Sequence, residues 1–211
     1  VNSAIKCIRK LGIKINLKKS YCEVYGKGLF GFKYKKNLIL DAGNSGTTAR
    51  LICSALVDAE YPIKMTGDKS LRSRDMKRIT QPLKLFGAKF KDNNGRLPLL
   101  IKGSKFTKAI NFTENLGSAQ CKSAVMIAAL KTDGITKIKS LPSRNHTELI
   151  FKNVLKVPIK VKHKKKYDFI EVKGNKEIMP FNYKIPGDIS SASFFIVLTL
   201  LSKNSKLILR N

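Results

Sequence analysis

The sequence predicts an α/β fold built from repeated units. Segments of helical and of strand periodicity alternate along its 211 residues. Three stretches, 4–26, 79–103 and 147–174, share one grammar: amphipathic helix, break, strand, polar turn, second strand, glycine. The breaks at Gly12, Gly87 and Pro158 fall at near-equal intervals. Glycine just past a helix suits a left-handed C-terminal cap. A hydrophobic content of 43% is ample for a buried core.

In chain order, Ser3 to Leu11 reads as the first helix, followed by the hairpin that ends at Gly26. Thr47 to Val57 reads as a helix and Tyr61 to Met65 as a strand. Pro82 falls inside the helix of the second stretch, where it is expected to kink or delay it. Asp92-Asn93-Asn94-Gly95 makes a good hairpin turn. Ala119 to Leu130 is apolar on nearly every side, which predicts a buried helix, and Ile135 to Ile138 a strand. Each full unit is thus helix, strand, helix, hairpin. A boundary is expected near Lys184-Ile185-Pro186-Gly187, before a very apolar helix to Leu201 and a strand-like run, Lys206 to Leu209. Residues 1–184 are read as most of one domain and 185–211 as a crossover and the truncated start of another. Both ends read as cut, because the chain opens at Val1 in mid-pattern.

The formal net charge is +28, from 34 Lys and 8 Arg against 14 acidic residues. So basic a chain suits anionic partners. The lysines are spread throughout, whereas nucleic-acid readers concentrate arginine and interleave aromatics. The densest run, Lys162 to Lys166, reads as a solvated hairpin tip. The longest apolar stretch, Ala192 to Leu201, is too short to span a bilayer, and no charged-then-apolar leader is visible. Neither nucleic acid nor membrane is therefore the expected partner, and a cytoplasmic location is expected. Cys7, Cys22, Cys53 and Cys121 have no CxxC pairing and read as free thiols. With two histidines and no cysteine cluster, no metal site is expected.

Four helices open on polar clusters. Gly43-Asn44-Ser45-Gly46-Thr47-Thr48 lets backbone approach a ligand at a helix N-terminus, where free N–H groups and the dipole favour an anion. An ordinary capped turn is the plainer reading. Leu71-Arg72-Ser73-Arg74-Asp75 offers Asp75 as an N-cap and, in extended chain, two guanidinium forks on one side. Gly117-Ser118-Ala119-Gln120 opens the apolar helix with Ser118 as cap and Gln120 in the first turn. In Ser143-Arg144-Asn145-His146-Thr147-Glu148, Asn145 and Glu148 have capping-box spacing. That leaves Ser143 and Arg144 free to bind, with His146 a packing or hydrogen-bonding residue rather than a catalyst. Together these clusters describe a site for multiply anionic ligands.

The five segments 40–48, 67–74, 118–124, 143–148 and 186–192 occur in the order found in 5-enolpyruvylshikimate-3-phosphate synthases, and the chain resembles that family over essentially its whole length. The resemblance implies an enolpyruvyl-transferase domain of repeated βαβαββ units, an inside-out α/β barrel, and the start of a second similar one. It implies transfer of enolpyruvyl from phosphoenolpyruvate to the 5-hydroxyl of shikimate-3-phosphate, with release of phosphate and no cofactor. Gly46, Arg74 and Gln120 would hold phosphoenolpyruvate, supported by Asn44 and Thr47. Ser118, Ala119, Gln120, Ser143 and Arg144 would hold shikimate-3-phosphate. The family's proton-transfer groups match no residue here, so the chain alone is expected to be inactive and the full-length protein a monomer. Asp75 stands where a proline is common, Leu51 where some members have proline, and Asn145 where aspartate is common. The competing readings are the sister enzyme acting on UDP-N-acetylglucosamine and a basic RNA-binding module. The sister's usual cysteine-bearing loop finds no cysteine between Cys53 and Cys121.

Overall fold

The computed structural model describes residues 1–174 and 177–210. It begins with helix α1 (Asn2–Lys10) and the hairpin β1 (Lys14–Leu17) and β2 (Cys22–Tyr25), a two-stranded sheet of its own. Gly12 ends α1 with φ 87°, the left-handed turn its position suggests.

Two complete βαβαββ units follow. The first is β3 (Ile39–Asp41), α2 (Gly46–Ala55), β4 (Ile63–Thr66), a short α3 (Lys69–Ser73), α4 (Lys77–Leu85), β5 (Lys89–Asn93) and β6 (Arg96–Lys102). The second is β7 (Asn111–Glu114), α5 (Ala119–Ala129), β8 (Ile135–Ser140), α6 (His146–Leu149), β9 (Ile159–His163) and β10 (Asp168–Lys173). Their sheets have matching orders, β3-β4-β6-β5 and β7-β8-β10-β9. In each the first two strands are parallel and the others antiparallel. α1 and its hairpin repeat the αββ order with which each of those units closes.

Strand alternation makes the layers. β8 buries Thr136, Ile138 and Ser140 and exposes Ile135, Lys137 and Lys139, and β10 buries Asp168, Ile170 and Val172. The buried faces pack on the helices. α2 lies along α5, and Ile52, Cys53, Ile63, Met65, Leu83, Phe86, Val125 and Ile170 share one core. Removing each such Leu, Ile or Val side chain from water contributes about 1.5–3 kcal/mol. α5 is buried on nearly all sides, as its composition predicts.

Several local expectations are corrected. The capping box does not form: Asn145 makes no side-chain cap bond and Glu148 is buried against α5 instead. Arg72 does not lie in extended chain beside Arg74: Asp68 caps the short helix that holds Arg72, accepting from Leu71 N–H at 2.7 Å, and only Arg74, just past the helix end, is extended. Asp75 is not the N-cap of α4, yet it accepts from Lys77 N–H at 2.6 Å just before the helix. The third helix is four residues followed by a π-helical turn, Ile150–Val154, and Lys156 takes the left-handed turn (φ 52°) two residues before Pro158. Lys206 to Leu209 is not a strand. β3 and β7, three and four residues long, have no counterpart in the periodicity reading.

α4 runs through Pro82. Proline has no N–H for the Arg78 carbonyl four residues earlier, and the Cys121 thiol donates to that carbonyl at 3.0 Å. Burial and nearby Glu114 push this thiol up to about 12, so it stays protonated as a donor. Asn94 and Gly95 both have positive φ, the hairpin geometry foreseen at that turn.

By its contacts the chain separates into Val1–Pro180 and Phe181–Asn211. The second segment holds α7 (Ile189–Leu201), capped by Asp188, with no residue buried. Among the described residues no helix is long and apolar enough to cross a membrane.

Candidate functional site

The parallel strand pairs place the polar clusters. In each sheet the two parallel strands end side by side, Asp41 beside Thr66 and Glu114 beside Ser140. All four clusters follow those ends. Carboxyl ends of parallel strands are where open α/β sheets bind ligands.

At the first unit, Ser45 caps α2 by accepting from Thr48 N–H at 3.2 Å. The first-turn N–H groups of α2 then point out with the positive end of the helix dipole. Arg74, at the end of α3, donates to Asn44 Oδ1 at 2.9 Å. Asn44 in turn donates to Asp68 Oδ2 at 2.6 Å. Asp68 is held below the ordinary carboxylate range, first by the Leu71 N–H, then by Asn44, with Arg74 adding its charge. Arg72 turns back instead, its Nε donating to the Gly67 carbonyl at 2.7 Å, and does not join Arg74.

At the second unit, Ser118 caps α5 by accepting from Cys121 N–H at 3.3 Å. Gln120, in the first turn, joins the two helices. Its Oε1 accepts from Arg50 Nη1 at 2.6 Å and its Nε2 donates to Thr47 Oγ1 at 2.8 Å. Only a carbonyl oxygen can face the guanidinium, so the amide orientation is fixed by its partners. The N-termini of α2 and α5 therefore open together.

Arg50 is the residue that sequence reasoning missed. A β-carbon added at Gly46 would meet Arg50 Nη1 at 3.0 Å and Arg74 Nη1 at 3.4 Å, so both guanidiniums crowd the first residue of α2. Burial, then Arg78 and Arg74, push Arg50 below its ordinary range, with Asp75 opposing. Arg50 Nε is buried without a partner among the described residues. Arg50 and Arg74 at one helix N-terminus, with the charge of Arg78 acting on Arg50 and Asp68 and Asp75 offsetting only part of it, make a positive spot that an anion would relieve. Helical spacing from Gly46 is the signal that marks it: position 50 lies one turn on, on the same face.

The remaining predicted residues sit beside α5. The Gly117 turn (φ 63°) approaches the Leu141-Pro142 loop, where an added β-carbon would lie 4.0 Å from Leu141 Cβ and from the Pro142 carbonyl. Ser143 is half-buried, its hydroxyl without a partner among the described residues. Arg144 is exposed, with no side-chain hydrogen bond or ion pair among the described residues, so the structure does not tie it to Arg50 and Arg74. Gly46, Asn44, Thr47, Arg74 and Gln120 are brought together, and Ser118, Ala119 and Ser143 stand at the neighbouring helix end.

This geometry coincides with clear similarity to known proteins. The family model described as EPSP synthase (3-phosphoshikimate 1-carboxyvinyltransferase) matches residues 1–211. A 3-phosphoshikimate 1-carboxyvinyltransferase of Caldicellulosiruptor saccharolyticus is 42% identical over 99% of this chain and 48% of its own length. One from Thermoanaerobacter sp. is 41% identical with the same coverage. The solved EPSP synthase of Acinetobacter baumannii superposes with a TM-score of 0.80 at 33% identity, over 94% of this chain and 44% of that one. The chain thus spans about half the length of the curated relatives it matches.

Proposed function

Since the chain belongs to the EPSP synthase family, we propose that the whole protein carrying it transfers the enolpyruvyl group of phosphoenolpyruvate to the 5-hydroxyl of shikimate-3-phosphate and releases phosphate. The observation that carries this reading is the pair of adjoining helix N-termini, bridged by Gln120 and crowded by Arg50 and Arg74.

This reading puts phosphoenolpyruvate at the α2 end, where Gly46 lets the guanidiniums of Arg50 and Arg74 come close to the backbone and Arg74 offers a planar fork for carboxylate or phosphate. Shikimate-3-phosphate is placed at the α5 end, with Ser118, Ala119, Ser143 and Arg144. Gln120, between the two helices, touches both. Negative charge gathers on the departing phosphate as the enolpyruvyl carbon becomes cationic. Fixed dipoles and guanidiniums favour the first without reorganising. No proton-transfer group is assigned within these residues. The same reading takes the two substrates as the partners of a monomeric, cytoplasmic enzyme, with residues 1–184 and 185–211 belonging to different domains.

The test is phosphate release by the complete protein. Turnover with shikimate-3-phosphate and phosphoenolpyruvate is expected, with none for UDP-N-acetylglucosamine as acceptor. Turnover with the UDP-sugar alone would overturn the reading.

A further inference from the structure

Lys122 is fully buried on α5, two residues after Gln120, and its Nζ lies 2.6 Å from Glu148 Oε1 on α6. The contact is an ion pair whose angles fall outside those of a hydrogen bond. Lys122 Nζ and Glu148 Oε2 have no hydrogen-bond partner among the described residues. One position along, Ser123 Oγ and Thr147 Oγ1 share a hydrogen bond at 2.6 Å. Two adjacent ties therefore join the N-terminal half of α5 to α6.

We propose that Lys122 and Glu148, with the Ser123–Thr147 bond, are positioning residues that fix the Ser143-Arg144 loop against the N-terminus of α5. Among the described residues no side-chain cap does so. α6 is only four residues long, Asn145 makes no side-chain cap, and the helix passes at once into the π-helical turn. The loop enters α6 directly, so its placement follows that of α6.

Stability is a poor account of the pair. Desolvating two charges offsets most of their attraction, and apolar replacements of similar volume are often neutral or stabilising. What a buried pair supplies and an apolar pair does not is register: sliding α6 along α5 separates both charges inside the core. A displacement of about 1 Å at a site costs up to about 100-fold in rate.

This inference rests on the proposed function, and the experiment separates the two. In the complete enzyme, the double variant Lys122→Met/Glu148→Leu removes the register and keeps the volume. It is expected to unfold close to the wild-type temperature, to raise KM for shikimate-3-phosphate about tenfold and to leave KM for phosphoenolpyruvate within about twofold. An unchanged KM for shikimate-3-phosphate, or equal rises for both substrates, overturns the positioning role. Wild-type protein inactive on this substrate pair overturns the function instead. Should the double variant fail to fold, Ser123→Ala/Thr147→Val removes the second tie. It is expected to raise KM for shikimate-3-phosphate alone about threefold, and an unchanged value overturns the proposal.

Discussion

At the scale of single residues, Gly46 separates stability from binding. An added β-carbon there meets only the tips of two flexible guanidiniums, at 3.0 and 3.4 Å. Alanine also narrows the unfolded ensemble, which stabilises by about 0.4–1 kcal/mol where the backbone is compatible. Gly46→Ala is therefore expected to leave the melting temperature unchanged or slightly higher. In the complete enzyme it should raise KM for phosphoenolpyruvate more than KM for shikimate-3-phosphate, because Arg50 and Arg74 must shift. Equal changes in the two constants would argue against the division of the site. Asp68 gives a pH dependence. Its carboxyl is held below the ordinary range by Leu71, Asn44 and Arg74, so its contribution is complete above the unfolded value of about 3.9. That contribution is lost as pH falls through the lower folded value. Between pH 7 and 5, wild type and Asp68→Asn should change stability in parallel, and below about pH 4 the wild type should fall more steeply, as thermal melts would show. Most of this site was legible as residue types at helix starts: Asn44, Gly46, Thr47, Arg74 and Gln120 meet as their clusters suggest. Arg50 was not legible, because it sits inside a helix that reads as core. Arg72 misled, because Asp68 caps a helix where an extended strand was expected.

At the scale of elements, the glycine closing each of the two complete units has a steric cause. A β-carbon on Gly103 would lie 1.9 Å from the Ala59 nitrogen, and one on Gly174 would lie 2.1 Å from the carbonyls of Ala129 and Thr132. Both glycines end the last strand of a unit where it passes the turn after that unit's first helix. Gly103 N–H donates to the Ala59 carbonyl and Gly174 N–H to that of Gly134. Gly26 occupies the same place in the αββ portion and has no atom within 4 Å of such a carbon. Gly103→Ala and Gly174→Ala should each destabilise by about 3 kcal/mol, since backbone cannot give way as a side-chain tip can, while Gly26→Ala should change stability by less than about 0.5 kcal/mol. Denaturant midpoints measure all three. The repeat and its hairpins were legible because two antiparallel strands joined by a turn satisfy their pattern locally. β3 and β7 were not, since three or four residues carry no period and their pairing comes from distant strands. The capping box failed for a tertiary reason: Glu148 finds a buried cation in Lys122, which spacing along one helix cannot reveal.

At the scale of the whole molecule, the two segments differ in how they bury apolar surface. Val1–Pro180 has a large buried core and a smaller cluster of Ile5, Ile13 and Ile15, whereas α7 buries none of its side chains, leaving Phe194 78% exposed and Leu200 and Leu201 each 79%. Apolar residues on every side of a helix mark an element made to be enclosed. A patch of that kind on an isolated chain binds hydrophobic dyes and promotes association. The chain of 211 residues is therefore expected to bind 8-anilinonaphthalene-1-sulfonate and to self-associate, and removal of residues 181–211 should abolish both while keeping cooperative unfolding. On the proposed function, the site within these residues is only part of what the reaction needs. The cluster of Gly46, Arg74 and Gln120 supplies fixed charge and dipoles but no group assigned to move a proton, and general acid–base groups are worth about 10²- to 10⁴-fold in rate. Phosphate release by the purified chain should thus lie orders of magnitude below that of the complete enzyme, while shikimate-3-phosphate still binds weakly at the α5 end. Turnover by the chain alone at the complete enzyme's rate would mean that the reacting groups lie within these residues, and that the division of labour drawn from the helix N-termini is wrong.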